Sequence, residues 1–303
     1  MTSFVIAYHN EGERFVAECV RQLKSTCGLD EKDYEIIIVD DASDIPLNKT
    51  YGAQIIRHSQ KMGVGYVFDN GIYQSKGENI IMMGCDLRFN QKGWAKRLLD
   101  DVIAHPNALI CTRCLALRRE QMDFDEAFNH PSGYGCDMLL KYEKDVLRAR
   151  WANPRKEEIY KTPCIMGACY GFTKEWYNYI DGWNMYRDKG YLEGFISTKS
   201  WLFGGECLID RTIQTWHIFR DRDEHGRLLK NEYYNKMLID YWFFGEKFTP
   251  DLPQSNSTND AKKTFNNNII DINKKKAEYA KKVKLDIDYY LENYLTTDKL
   301  NRL

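Results

Sequence analysis

Three polar stretches in this 303-residue chain stand where an α/β protein does its chemistry. The first is GENIIMMGCDLRFN (77–90), in which an apolar run, Asn79 to Met83, delivers one carboxylate, Asp86, just past its end. A continuous apolar run bounded by glycine suits a central strand covered on both faces. In open α/β sheets, ligands collect at the carboxyl ends of such strands. Asp86 is therefore either the floor of an active site or the cap of the next turn. The second stretch is EIIIVDDASD (35–44), a buried strand ending in Asp40, Asp41, Ser43 and Asp44. A carboxylate there can accept from a uracil N–H or a ribose hydroxyl, or simply cap the following element. The third is TPCIMGACYGF (162–172), whose small residues predict a strand over Met166–Cys169 that a ligand can approach closely.

These stretches need a sheet to hold them. Strands are expected at 3–7, 35–39, 54–56 and 79–83, and a helix from about Val64 to Lys76. Phe15, Val16, Cys19, Val20 and Leu23 recur at helical spacing between the first two strands. Strand, helix, strand, strand, helix, strand is the order of a nucleotide-binding half. Beyond it come a helix at Trp94–Ile103, a strand at 109–111 and a polar, weakly periodic segment from 112 to 160. A further strand is expected at Glu206–Asp210, and Thr215–Arg220 ends the core. PDLPQSNSTND (250–260) reads as a linker, followed by a lysine-rich helical tail.

Composition narrows the setting. Apolar residues make up 43% of the chain, enough for a substantial core, and the formal charge of −1 says nothing about a polyanionic partner for the chain as a whole, although the C-terminal portion is basic. Nine scattered cysteines include one CxxC, Cys111 and Cys114, without the second pair a zinc site needs. An odd, unpaired set suits a reducing compartment, and no basic-plus-apolar leader or membrane-length apolar run is visible, so the expected location is the cytoplasm.

FVIAYHNEGE (4–13), EIIIVDDASD (35–44), GVGYVFDNGIYQSKGENIIMMGCD (63–86), TPCIMGACYGFTKEW (162–176), WHIFR (216–220) and NEYYNKMLIDYW (231–242) occur in a fixed order. In that order they resemble the GT-A-fold glycosyltransferases of family 2, and within them the polypeptide N-acetylgalactosaminyltransferase-like branch. The resemblance covers about residues 1 to 245. It implies an α/β, Rossmann-like nucleotide-diphospho-sugar transferase with a small C-terminal helical appendage. The expected division is a 1–249 catalytic domain (1–110 nucleotide-sugar half, 111–249 acceptor half with a lid) and a 250–303 linker and basic tail.

The same resemblance implies a site. Asp40 would pair with the uracil or ribose of a UDP-sugar donor, Tyr8 and Glu11 would line its pocket, and Arg57 and Gly63 would lie beside the nucleoside. Asp86 and His217 would ligate Mn2+ or Mg2+, and Arg220 would contact the diphosphate or order a lid at 221–227. Without Asp86 and the register of the motifs, His217 reads as a satisfied core histidine between Trp216 and Ile218. Two positions depart from the family pattern: Gly84 replaces the first Asp of the metal motif, and Leu192-Glu193 keeps one carboxylate where the family has two. A divalent cation would stabilise the leaving diphosphate as a Lewis acid, and an Asp plus His set favours Mn2+. Glu193 is the candidate general base, or an acceptor-positioning group if configuration is retained; its structural alternative is a helix N-terminal charge.

The acceptor stays open between a saccharide and a hydroxymethylated pyrimidine in DNA of the phage-modification type. The lysine-rich tail is a solvated helix packed on the domain, a contact for an anionic membrane surface, an oligomer contact or a phosphate contact. Two rival functions are a nucleotide-sugar binder without activity, suggested by Gly84, and a sugar-phosphate nucleotidyltransferase. The acidic YHNEGE loop (8–13) counts against the second.

Overall fold

The computed structural model describes residues 1–117, 132–142, 145–219, 229–245, 252 and 254–295. Alternation along the buried strands explains its layers. In β1 (Thr2–Tyr8), β2 (Tyr34–Asp40) and β4 (Asn79–Gly84), the runs 4–6, 36–39 and 80–83 are buried at every residue, because each face of the sheet is covered. Phe4, Ile6, Ile36, Ile38, Ile81 and Met83 face one core, while Val5, Ile37, Val39, Ile80 and Met82 face the other. Helices α1 (Glu13–Thr26) and α3 (Trp94–Ala104) cover the first face, where Phe89 stacks on Trp94 at 4.1 Å. Helices α2 (Val64–Gln74), α4 (Lys174–Tyr179), α5 (Leu192–Leu202) and α6 (Leu229–Ile239) pack on the second.

The remaining strands are β3 (Gln54–Arg57), β5 (Leu87–Arg88), β6 (Ala108–Leu117), β7 (Ser132–Gly133), β8 (Cys136–Tyr142), β9 (Asp145–Trp151), β10 (Ile159–Lys161), β11 (Cys169–Thr173) and β12 (Glu206–Ile218). The main sheet runs β10-β12-β6-β11-β4-β1-β2-β3, with β5 on β12 and β7 on β6. β11 is antiparallel to both β4 and β6, so β1, β2, β4, β6 and β12 all end at the same edge. That edge carries the site.

Several expectations shift. The small-residue strand begins at Cys169 rather than Met166, because the register Tyr170↔Met82 and Phe172↔Ile80 pins the later residues to β4. The weakly periodic segment contains the antiparallel pair β8–β9, whose Met138 and Leu147 are fully buried. The strand expected at Glu206–Asp210 runs on through Ile218 as β12, with an irregularity between Asp210 and Gln214 where Asp210 accepts from the Thr212 N–H and hydroxyl. Half of the expected linker is helix: α7 (Asn256–Asn267) starts on a Ser255 cap that accepts from the Thr258 N–H at 3.2 Å. With α8 (Ile269–Ala280) and α9 (Ile287–Tyr294), it sends Phe265, Ile272, Tyr279 and Tyr290 into the core beside α5. Several tail lysines point inward as well: Lys282 donates to the Tyr179 carbonyl at 2.6 Å, and the Lys276 ammonium lies 3.8 Å from the Tyr241 ring centre.

Candidate active site

β5 is only two residues long, yet it sets the central geometry. It pairs antiparallel with β12, placing Leu87 opposite His217 and Arg88 opposite Trp216. The Ile218 N–H donates to the Asp86 carbonyl at 3.0 Å. The Asp86 carboxylate and His217 Nε2 consequently stand 3.4 Å apart, with 14% and 24% of their side chains exposed. Two ligands of one divalent cation, each about 2.2 Å from it, stand roughly 3 Å apart, so the pair fits a shared metal ion with an open side. Among the described residues, no group of three or more His, Cys, Asp or Glu forms a closed metal cage. A pair that leaves coordination positions for a diphosphate is what a catalytic cation needs. Gly84 belongs to this geometry: a Cβ there would stand 2.4 Å from Asp86 Oδ1. The missing side chain is what lets the carboxylate fold back over the strand end.

Beneath this loop lies Arg88, fully buried. Its guanidinium donates to the Leu87 carbonyl at 2.7 Å and the Cys85 carbonyl at 3.3 Å, and sits over the Phe15 ring. It ties the Asp86 turn to α1.

The ends of β1 and β2 hold a second group. Tyr8 lies in register with Asp40, and both are buried. Asp40 accepts from the Ser43 N–H at 2.9 Å and pairs with the partly exposed Arg57. Its carboxylate is therefore committed to protein partners, and Arg57 is the group of the pair that reaches outward. Glu11 accepts from the His9 N–H at 2.5 Å. Burial, then the neighbouring acidic groups, raise the Tyr8 phenol above its ordinary range and keep it protonated.

Asp41 organises more of this edge than Asp40. Its carboxylate accepts from the Met62 and Gly63 N–H groups, each at 2.8 Å, and meets His58 Nδ1 at 2.8 Å. His58 Nε2 faces the Asn70 amide at 2.8 Å. Gly63 has φ +92, and its Cα face lies against the Asp188 backbone, so only glycine fits. Sequence reading singled out neither Asp41 individually nor His58; a lone histidine 17 positions on carries no spacing signal.

The third group is built on α5. Glu193, in its first turn, accepts from the Tyr170 hydroxyl at 2.8 Å. Burial and the Glu193 charge push the Tyr170 phenol far up, so it remains a donor. Gly167 lets the carboxylate lie on the backbone: a Cβ there would meet Glu193 Oε1 at 2.3 Å. Gly167 precedes β11, whose first residue pairs with Met83, so Glu193 is carried to the same sheet edge as Asp86.

Two aromatic rings flank the His217 side. Phe219 is 41% exposed and packs edge-on to His217 at 4.2 Å between ring centres; Trp151 is 37% exposed and lies 5.7 Å from Phe219. Trp151 belongs to the weakly periodic 112–160 segment. The alternation Cys136, Met138 against Leu147, Ala149, Trp151 was the available signal. Arg220 and the lid expected at 221–227 lie outside the described residues. All nine cysteines are buried, and burial pushes Cys111 and Cys114 up to about 12, leaving both thiols protonated.

Residues 3–180 match the family model described as glycosyl transferase family 2. Human polypeptide N-acetylgalactosaminyltransferase 14 is 25% identical over 231 residues, 73% of this chain and 41% of that protein. Polypeptide N-acetylgalactosaminyltransferase 11 of Xenopus tropicalis is 21% identical over 238 residues, 75% of this chain and 39% of its own length. The chain thus spans about two fifths of these curated relatives. Among solved structures, GalNAc-T7 with UDP, GalNAc and Mn2+ matches with a TM-score of 0.69 at 16% identity, over 97% of this chain and 56% of that one. S. aureus TarS 1–349 in complex with UDP-GlcNAc matches at 0.52 and 11% identity, over 82% and 68%. These likenesses establish the GT-A fold.

Proposed function

The chain belongs to glycosyl transferase family 2, and from that premise we propose that it moves a sugar from a UDP-sugar to an acceptor hydroxyl at a divalent cation, Mn2+ before Mg2+. The observation that carries this reading is the Asp86–His217 pair, held 3.4 Å apart by the β5–β12 pairing. Relatives solved with UDP and Mn2+, and with UDP-GlcNAc, support the donor class.

Each group then has a task. Asp86 and His217 would hold the cation, which when bound supplies Lewis-acid stabilisation of the leaving diphosphate. Asp40 fixes Arg57 by their ion pair, and Arg57 orients the nucleoside beside Tyr8, Glu11 and the Gly63 backbone. Gly84 leaves the Asp86 carboxylate free to fold back over the strand end toward the cation. Glu193 takes the acceptor hydroxyl proton as that oxygen bonds to the anomeric carbon; the bond from that carbon to UDP breaks, and its electron pair stays on the diphosphate oxygen. The Tyr170 hydroxyl holds Glu193 in its acceptor role. Trp151 and Phe219 form the acceptor wall, and their exposed faces suit a saccharide ring or an extruded hydroxymethylated pyrimidine.

The test is UDP release from a panel of UDP-sugars with Mn2+, repeated with Asp86→Ala and His217→Ala. Manganese-dependent release, lost in both variants, is the expected result. No release from any donor, with donor binding equal in wild type and variants, would overturn the transferase reading in favour of a donor binder without activity. Screening saccharides and hydroxymethylated DNA with the donor so found then decides the acceptor.

A further inference from the structure

A sizeable cleft lies away from the sheet edge. It has a volume of about 990 Å³ and lies between the outer face of α2, the 181–187 turn and helix α8 of the tail. None of Tyr8, Asp40, Asp86, Glu193 or His217 lines it. Its size is that of a small-molecule site, large enough for two or three sugar rings.

Its walls are fixed before any ligand arrives. On one side Asp69 accepts from the Tyr177 hydroxyl and, at 3.1 Å, from the Trp183 N–H. On the other, Asp181 accepts from the Tyr279 hydroxyl at 2.7 Å and pairs with Lys275 at 2.9 Å, bolting α8 to the turn. Fully buried Lys199 donates to the Asp181 carbonyl at 3.1 Å and to the Gly182 carbonyl, holding the turn from beneath. A cleft with rigid walls loses little entropy on binding.

The lining also states what it would bind. Four carboxylates and four cationic side chains line the cleft, so it favours neither an anion nor a cation. Tyr73 is 84% exposed, and Tyr66, which meets the His58 ring edge-on at 5.3 Å, is 46% exposed, so two aromatic rings stand at its rim. Asn178, Asp271 and Lys274 make no side-chain hydrogen bond or ion pair among the described residues, and all three are exposed. Flat aromatic faces beside planar amide and carboxylate groups of both hydrogen-bonding senses match a ligand that is ringed, uncharged and rich in hydroxyls.

We propose that this cleft is a second binding site, separate from the donor site, for a neutral saccharide. Tyr73 and Tyr66 stack on the pyranose faces, and Asp271, Asn178 and Lys274 bind the hydroxyls. The site does not depend on the donor chemistry. Monosaccharides and longer chains are separated by length: occupancy of the whole cleft makes di- and trisaccharides bind better than single sugars.

The experiment uses the full chain with EDTA and no nucleotide. Saturation-transfer NMR is recorded with N-acetylgalactosamine, N-acetylglucosamine and galactose, and with their di- and trisaccharides. Binding with a Kd on the order of 1 mM is expected for at least one oligosaccharide. It should weaken at least fivefold in Tyr73→Ala and in Asp271→Asn, two exposed positions whose change leaves the fold intact, and stay unchanged in His217→Ala. Absence of transfer to every sugar, or transfer equal in wild type and both cleft variants, overturns the proposal. UDP release measured on the same variants separates the two readings: it should be unchanged by Tyr73→Ala, so its failure in wild type would sink the transferase reading and leave the cleft standing.

Discussion

Charged side chains serve opposite purposes at the sheet edge and at the junction of α5 with the tail. Asp86 and His217 are partly exposed and face each other with an open side. Lys199 is fully buried and Asp181 is as exposed as His217, at 24% of its side chain, yet both are engaged by protein: two carbonyls for Lys199, a tyrosine hydroxyl and an ammonium for Asp181. Burial pulls the Lys199 ammonium down to about 7, against the pull of Asp181 and Asp69. A group that works on a ligand must keep capacity to bind it. A group that locks two elements together must have none left, because each unsatisfied buried charge costs several kcal/mol.

Five substitutions sharpen or break that contrast. The largest effect belongs to the edge: Asp86→Ala or His217→Ala should lower UDP release at least about 100-fold while the unfolding midpoint stays within about 2 °C. A large loss of stability there would mean that the pair is a structural contact. At the junction the pattern should invert. Lys199→Met should cost about 3 kcal/mol in urea unfolding, with Mn2+ and donor affinity retained in the molecules that remain folded; a stability equal to wild type would refute the locking role. Gly167→Ala should act between these extremes. Its Cβ would stand 2.3 Å from Glu193 Oε1, so acceptor transfer should fall about tenfold while donor hydrolysis persists; equal loss of both would show that Glu193 is not an acceptor-side group.

The smallest effect is read through pH. Asp240, in the π-helical turn after α6, has a carboxyl pushed up to about 8 by burial, and its Oδ1 finds no hydrogen-bond partner. The folded chain then holds a proton that the unfolded chain releases near its ordinary value of 3.8. Between those values the native state binds more protons, so stability contributed here is present at low pH and falls as pH rises toward 8. Asp240→Asn should remove that slope and stabilise the chain at pH 8 by roughly 1–2 kcal/mol. Parallel pH–stability curves for variant and wild type would place the titration elsewhere.

The nucleotide half was legible in the sequence because its signals are local. Apolar runs such as Ile36–Val39 and Ile80–Met83, and the 3.6-residue spacing in α1, each lie within one element. Asp86 and His217 were nameable only through family resemblance, since 131 positions separate them and nothing in their spacing implies contact. Trp151 was missed because a surface hairpin of mixed charge hides its alternation. Lys199 was missed for a different reason. In α5 nearly every residue is buried, so the helix has no polar face, and its lysine is satisfied by partners as far away as Tyr279. The tail lysines looked like a solvated stripe; several instead lay their stems on tyrosines and their ammonium groups on carbonyls.

The two-residue strand β5 also has a temporal consequence. It has no partner for Asp86 until β12 arrives, and β12 lies between β6 and β10 in the sheet. During synthesis the first half of the sheet can collapse on its own local contacts, but the cation pair cannot exist before residue 217 has left the ribosome and docked. The proposed cation site is thus a late property of this chain, complete only once β12 has closed on β5. Mn2+ capture during refolding would time the closing of the sheet.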